Sequence, residues 1–138
     1  MEDVKWAADG KNVYFTRKGG LYYKDVSKNE DSLIAYLNST GNDEKGFSQS
    51  FAVSNDGDRV AFQFNTFKSA EIGSTRIGSD ICVYSKHDKS IVKVSDSKQD
   101  PWQTRIEWSP DGKKILAIRS EDGNFLNPHP NILTLKPL

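Results

Sequence analysis

The chain of 138 residues carries 19 Lys plus Arg against 19 Asp plus Glu, a formal net charge of zero, with 36% hydrophobic and 28% charged residues. These proportions are those of one globular domain and not of a disordered chain. The balanced charge gives no electrostatic reason for nucleic acid or an anionic membrane to bind, and the longest apolar runs are strand-sized, so no membrane-spanning helix is expected.

Met1-Glu2-Asp3-Val4 runs directly into the first predicted strand, without the basic and apolar regions of an export signal. Val4 and Trp6, then a turn at Ala8-Asp9-Gly10-Lys11, then Val13 and Phe15, read as strand, tight turn, strand. A third strand is predicted at Gly20 to Lys24 and a fourth, less sharply bounded, at Ser32 to Leu37. The polar stretches Lys28 to Asp31 and Gly41 to Gly46 read as solvated loops.

The same order returns twice. In the second copy Phe51 and Val53 precede the turn Asn55-Asp56-Gly57-Asp58, and Val60 and Phe62 follow it. Strands are predicted next at Asp80 to Tyr84 and Ser90 to Ser95. In the third copy Ile106 and Trp108 precede Pro110-Asp111-Gly112, and Ile115 and Ala117 follow. There Pro110 sets φ for the first central turn position, Asp111 suits the second, and Gly112 takes the left-handed conformation that closes the hairpin. A third strand is expected at Asn131 to Leu135, with no room for a fourth.

Aligned on the turn aspartates, the copies agree on both arms. Five positions before stand Val4, Phe51 and Ile106, and three before stand Trp6, Val53 and Trp108. Four after stand Val13, Val60 and Ile115, and six after stand Phe15, Phe62 and Ala117. Residues two apart on a strand share a face, so each hairpin presents an apolar face built from equivalent positions. The aspartates are about 47 and about 55 residues apart, close to the period of four-stranded propeller blades. The expected fold is all-β: one propeller-like domain of three consecutive antiparallel blades, about 1–45, 46–100 and 101–138, the last incomplete.

The run of an apolar residue, Trp108-Ser109-Pro110-Asp111-Gly112-Lys113 and an Ile-Leu-Ala strand, with the Asp80-Ile81-Cys82-Val83-Tyr84 type of strand, resembles the TolB-type, WD-repeat-like β-propeller repeat. Trp108 to Ala117 matches fully; the second copy lacks the Trp and Pro, and the first lacks the Ser and Pro. The resemblance implies a periplasmic or cell-envelope scaffold for protein–protein or small polar ligand binding. The alternative to this preferred reading is the accessory propeller of a larger enzyme, such as a prolyl-oligopeptidase-type serine peptidase or a glycan-processing protein.

Closed propellers have about four to eight blades, so three blades leave two end faces to be covered. Three arrangements follow: part of a longer propeller, a homodimer closing a six-bladed ring, or an open stack with polar ends. The aromatic repeat positions Trp6, Phe15, Phe51, Phe62 and Trp108 are expected in the core.

No catalytic constellation is legible. His87 and His129 lie in a predicted turn and a Pro-flanked loop without zinc-ligand spacing, no Gly-x-Ser-x-Gly elbow occurs, and the recurring aspartates are explained as turn formers. Cys82, the single cysteine, falls in a predicted strand and reads as a buried, inert thiol. The expected molecule is not an enzyme and has neither cofactor nor metal. Candidate binding residues fall in two groups. The first strand of each blade lines the channel of the propeller the chain resembles, and the residues that open it are Gln49 and Ser50, then Gln103, Thr104 and Arg105. The long connections Asn65 to Ser79 and Ser120 to Pro130 add Arg76, Phe125 and His129 on one rim.

Overall fold

A computed structural model describes residues 3–39, 50–69, 74–95, 102–120 and 129–135. Strands β1 (Asp3–Trp6), β2 (Asn12–Arg17), β3 (Gly20–Asp25) and β4 (Asp31–Tyr36) form an antiparallel sheet in that order, the first blade. The second blade consists of β5 (Phe51–Val53), β6 (Arg59–Ser69), β7 (Ser74–Ser85) and β8 (Ser90–Lys93). The third holds β9 (Trp102–Trp108), β10 (Lys114–Ser120) and β11 (His129–Thr134). Single parallel pairs, Asn38 with Asn65 and Ser79 with Trp102, stitch consecutive blades together. The described residues therefore form a partial, open β-propeller.

The hairpin turns share one central hydrogen bond. The carboxylates of Asp9, Asp56 and Asp111 accept the backbone N–H two residues on, at 2.8, 3.0 and 2.9 Å, and Gly10, Gly57 and Gly112 have φ of 67°, 75° and 72°. Ser54 and Ser109 also donate their hydroxyls to Asp56 and Asp111 at 2.6 and 2.7 Å. In the first blade Ala7 stands in the serine's place, and the Asn12 amide donates to Asp9 instead. These bonds hold all three carboxyls below their ordinary value of 3.8; the Lys11 and Lys113 N–H groups contribute most at Asp9 and Asp111, and the Ser54 hydroxyl most at Asp56.

A carboxyl depressed in the folded chain contributes stability above its unfolded value and loses it as pH falls through the folded one. The unfolding midpoint in urea is therefore expected to be flat above about pH 5 and to drop below about pH 4, measured between pH 2 and 7. Asp→Asn at positions 9, 56 and 111 together should flatten that drop; an unchanged slope would remove the turns from the account.

Blade packing follows from strand alternation. Phe51, Val53, Val60 and Phe62 turn towards the first blade, where they cluster with Ala7, Tyr14, Leu21 and Leu37. Ile106, Trp108, Ile115 and Ala117 turn towards the second blade and meet Ala61, Ile81 and Val83. The aligned repeat positions thus always face the preceding blade, and the alternate positions face the following one. This explains a correction to the expected core. Phe51 and Phe62 are buried between blades, and Phe15 is buried under Tyr22 and Arg17 of its own blade, but Trp6 is 62% exposed because it stands on a side where the described residues place no blade.

Two expected loops also change. Most of Asn65 to Ser79 is strand, β6 and β7 pairing from Arg59–Ser85 out to Ser69–Ser74 with one irregularity after Thr66. The β-forming run Phe64-Asn65-Thr66-Phe67 simply continues the ladder. In the other connection, His129 and Pro130 already belong to β11, paired with Arg119 and Ile118. The missing Pro N–H is tolerated because β11 has a partner on one side only among the described residues.

Candidate functional site

The inner strands β1, β5 and β9 bring charged and polar side chains to one cavity of about 420 Å³. Its walls include Asp3 and Lys5 from β1, Ser50 and Phe51 at the start of β5, and Arg105 and Glu107 from β9. Lys5 reaches from the first blade to the second, its Nζ donating to the Phe51 carbonyl at 2.6 Å and lying 4.9 Å from the Phe51 ring centroid. From the other side the Trp108 Nε1–H donates to the Ala52 carbonyl at 2.8 Å. The three-residue β5 is thereby pinned by a side chain from each neighbouring blade.

Arg105 is presented by an irregular backbone. Ile106 pairs with Ala117 and Thr104 with Ile118, so Arg105 is the extra residue of a β-bulge, with φ of 52°. A left-handed conformation is uncommon for a non-glycine residue, and bulges re-aim side chains at functional rims. The Arg105 side chain is exposed on the cavity wall.

Beneath Ser50 lies a buried polar layer. The Ser50 N–H donates to Gln63 Oε1 at 3.3 Å, the Gln63 N–H to the Ser50 carbonyl at 2.8 Å, and Gln63 Nε2 to Asn65 Oδ1 at 3.0 Å. Gln63 and Asn65 are fully buried, and Asn65 Nδ2 has no hydrogen-bond partner among the described residues. This layer fixes the backbone that carries Ser50, since buried amides that are bonded to one another resist displacement.

Of the residues singled out in the sequence, Ser50 and Arg105 meet on this cavity. Gln103 and Thr104 lie on β9 beside Arg105, paired with Arg119 and Ile118. Arg76 lies on β7 opposite Phe67 and His129 on β11 opposite Arg119, both as strand residues rather than loop residues. Gln49 and Phe125 lie outside the described residues. Lys5, Asp3 and Glu107 were not legible as wall residues. The signal was present, since Lys5 and Glu107 both stand four before their turn aspartates, alternating with the apolar positions.

A larger groove, about 590 Å³, runs between β4 and the second blade past Tyr36, Phe62, Phe64, Asp80, Cys82 and Lys93. It is chiefly apolar. Its carboxylate, Asp80, is buried and accepts the Ser95 hydroxyl at 2.6 Å. Burial pushes the Cys82 thiol up to about 11, with Asp80 adding to it, so the sulfur stays protonated and unreactive at neutral pH. The smaller cavity has the richer recognition chemistry. Among the described residues no three His, Cys, Asp or Glu side chains come together as a metal-binding group.

These blades define the class, an open segment of a β-propeller, and comparison with solved structures agrees. The chain is similar to part of the tricorn protease (16% identity, TM-score 0.69), covering 97% of this chain and 13% of that one. It is similar to part of the hydrazine synthase of Kuenenia stuttgartiensis (16%, 0.59), over 96% of this chain and 38% of that one. It also resembles a putative dipeptidyl aminopeptidase IV from Bacteroides ovatus (18%, 0.50), over 83% and 19%. The chain thus spans well under half the length of each of these proteins, and at such identities the likeness is one of fold. No protein-family profile and no curated protein matches the sequence.

Proposed function

We propose that the chain is a non-catalytic binding module of the TolB-like type, whose axial cavity takes a small polar ligand or an extended segment of a protein partner. The observation that carries this reading is the convergence of Asp3, Lys5, Ser50, Arg105 and Glu107, drawn from all three blades, on one cavity. Charges of both signs on a rigid frame suit a zwitterion or a peptide, whose ammonium and carboxylate ends find opposite partners. The scaffold role and cell-envelope placement belong to the same reading and rest on the Trp-Ser-Pro-Asp-Gly-Lys motif.

The test is an NMR titration of the labelled chain with glycylglycine and with an unstructured tetrapeptide. Saturable amide shifts are expected at Lys5, Ser50 and Glu107, weakened about tenfold or more by Arg105→Ala through loss of a charge-assisted hydrogen bond. Shifts confined to residues outside the cavity, or an Arg105→Ala variant that binds equally well, would refute the assignment.

A second reading, the accessory propeller of a larger peptidase, is favoured by the likeness to tricorn protease and to the putative dipeptidyl aminopeptidase. An α/β-hydrolase domain downstream in the same open reading frame would decide for it.

A further inference from the structure

We propose that the outward face of the first blade docks on the outward face of the third blade of a second copy of this chain, repeating the contact that already joins the second and third blades. The proposal rests on observations other than those behind the ligand reading above, although its docking face adjoins the ligand cavity, which Glu107 and Leu116 also line. It starts from positional equivalence across the two blade interfaces within the chain.

At the contact between the second and third blades, Trp108 donates Nε1–H to the carbonyl of Ala52 at 2.8 Å, and the Arg59 guanidinium carbon lies 4.9 Å from the Trp108 ring centroid. Trp6 holds the position of Trp108 in the first blade, three before its turn aspartate. It is 62% exposed and borders a hollow of about 570 Å³ together with Val13, Phe15 and Val26. Among the described residues no blade covers this tryptophan, although it holds a blade-packing position.

The third blade offers the matching surface. Glu107 stands where Ala52 stands, four before the aspartate, and Lys114 stands where Arg59 stands, three after it. The pairing is equivalent as well: Ala52 with Ala61 in one blade, Glu107 with Leu116 in the other. The side chains that the second blade presents to the third, Ala61 and Val83, have Leu116 and Ile132 as counterparts. Leu116 is 39% and Ile132 64% exposed, although their counterparts are buried. Docking would give the Trp6 Nε1–H of one copy the Glu107 carbonyl of the other, set Lys114 over the indole, and cover Leu116 and Ile132.

The contact is heterologous, and two copies that make it twice form a closed pair. Continuity with an interface already present in the chain is what selects a second copy as the occupant. The remaining exposed large apolar side chains outside these two faces, Tyr36, Ile91 and Val92, lie on the outermost strands β4 and β8 and are not needed.

The test is light scattering of the full chain over a concentration series, with Trp6→Glu and Ile132→Lys. Both positions are exposed in the single chain, so both variants are expected to keep the wild-type circular dichroism, and to match the wild-type unfolding midpoint at concentrations low enough for every form to be monomeric. Wild type should run as a dimer, and each variant should weaken the dimer by at least about thirtyfold, as loss of an interface hot spot does. The decisive arm is a mixture of the two variants. A heterologous contact leaves one intact interface in the mixed pair, so mixing should restore part of the dimer. A wild-type monomer at all concentrations, an Ile132→Lys variant that dimerises normally, or no recovery on mixing would each overturn the proposal.

Discussion

Phe62→Ala is expected to cost about 3–5 kcal/mol of folding free energy, the range for truncating a buried phenylalanine. Phe62 is 1% exposed and sits on β6 in the cluster shared by the first two blades, with Tyr14, Leu21, Phe51 and Tyr84. Part of the loss is the transfer of the ring to water. The remainder is the cavity left behind, which the paired strands β5, β6 and β7 on which Phe62 sits cannot collapse to fill. Urea unfolding of the variant should show a lowered midpoint with an unchanged slope. A loss below about 1 kcal/mol, the range of ordinary substitutions, would mean that the two blades do not share this core.

Gly57→Ala is the second large effect, and Gly10→Ala is its internal control. Both glycines have left-handed φ, 75° and 67°, so both variants meet the backbone penalty of roughly 1–2 kcal/mol for an L-residue there. Only Gly57 is crowded. A Cβ at Gly57 would lie 3.1 Å from Ala7 Cβ in the first blade, whereas a Cβ at Gly10 meets nothing within 4 Å. The Gly57 carbonyl also accepts the buried Tyr14 hydroxyl at 2.9 Å, a bond that any shift of the turn would stretch. Gly57→Ala is therefore expected to cost about 1–3 kcal/mol more than Gly10→Ala, the usual scale of overpacking. Equal midpoints in thermal or urea unfolding would show that the turn of the second blade does not press on Ala7.

The blades were legible because their determinants are local. Asp9, Asp56 and Asp111 mark turns whose hydrogen bonds span only a few residues, and apolar alternation on either side assigns the faces. The direction of those faces was not legible. Period-two alternation says that Trp6 and Trp108 share a face type, but only packing reveals that this face looks towards the preceding blade, which buries much of one and leaves the other open. The site was legible in part for the same reason. Ser50 follows from its place just before β5 and Arg105 from its place on the inner strand β9, while Lys5 becomes a wall residue through a contact 46 positions away, to the Phe51 carbonyl. The bulge at Arg105 depends on the register of β9 against β10, which no turn residue announces.

The pinned strand β5 also bears on aggregation. Ser50 and Ser54 direct their backbone bonds to β6, which leaves Phe51 between them facing away from that partner along the inner edge. An inner edge of this kind is a template on which a foreign strand can add. At Phe51 the template is already occupied, because its carbonyl holds the Lys5 ammonium. An invading strand would have to displace a charged donor and leave it unpaired next to an aromatic ring before gaining its first ladder bond. Lys5 thus serves the hub as a gatekeeper against strand addition.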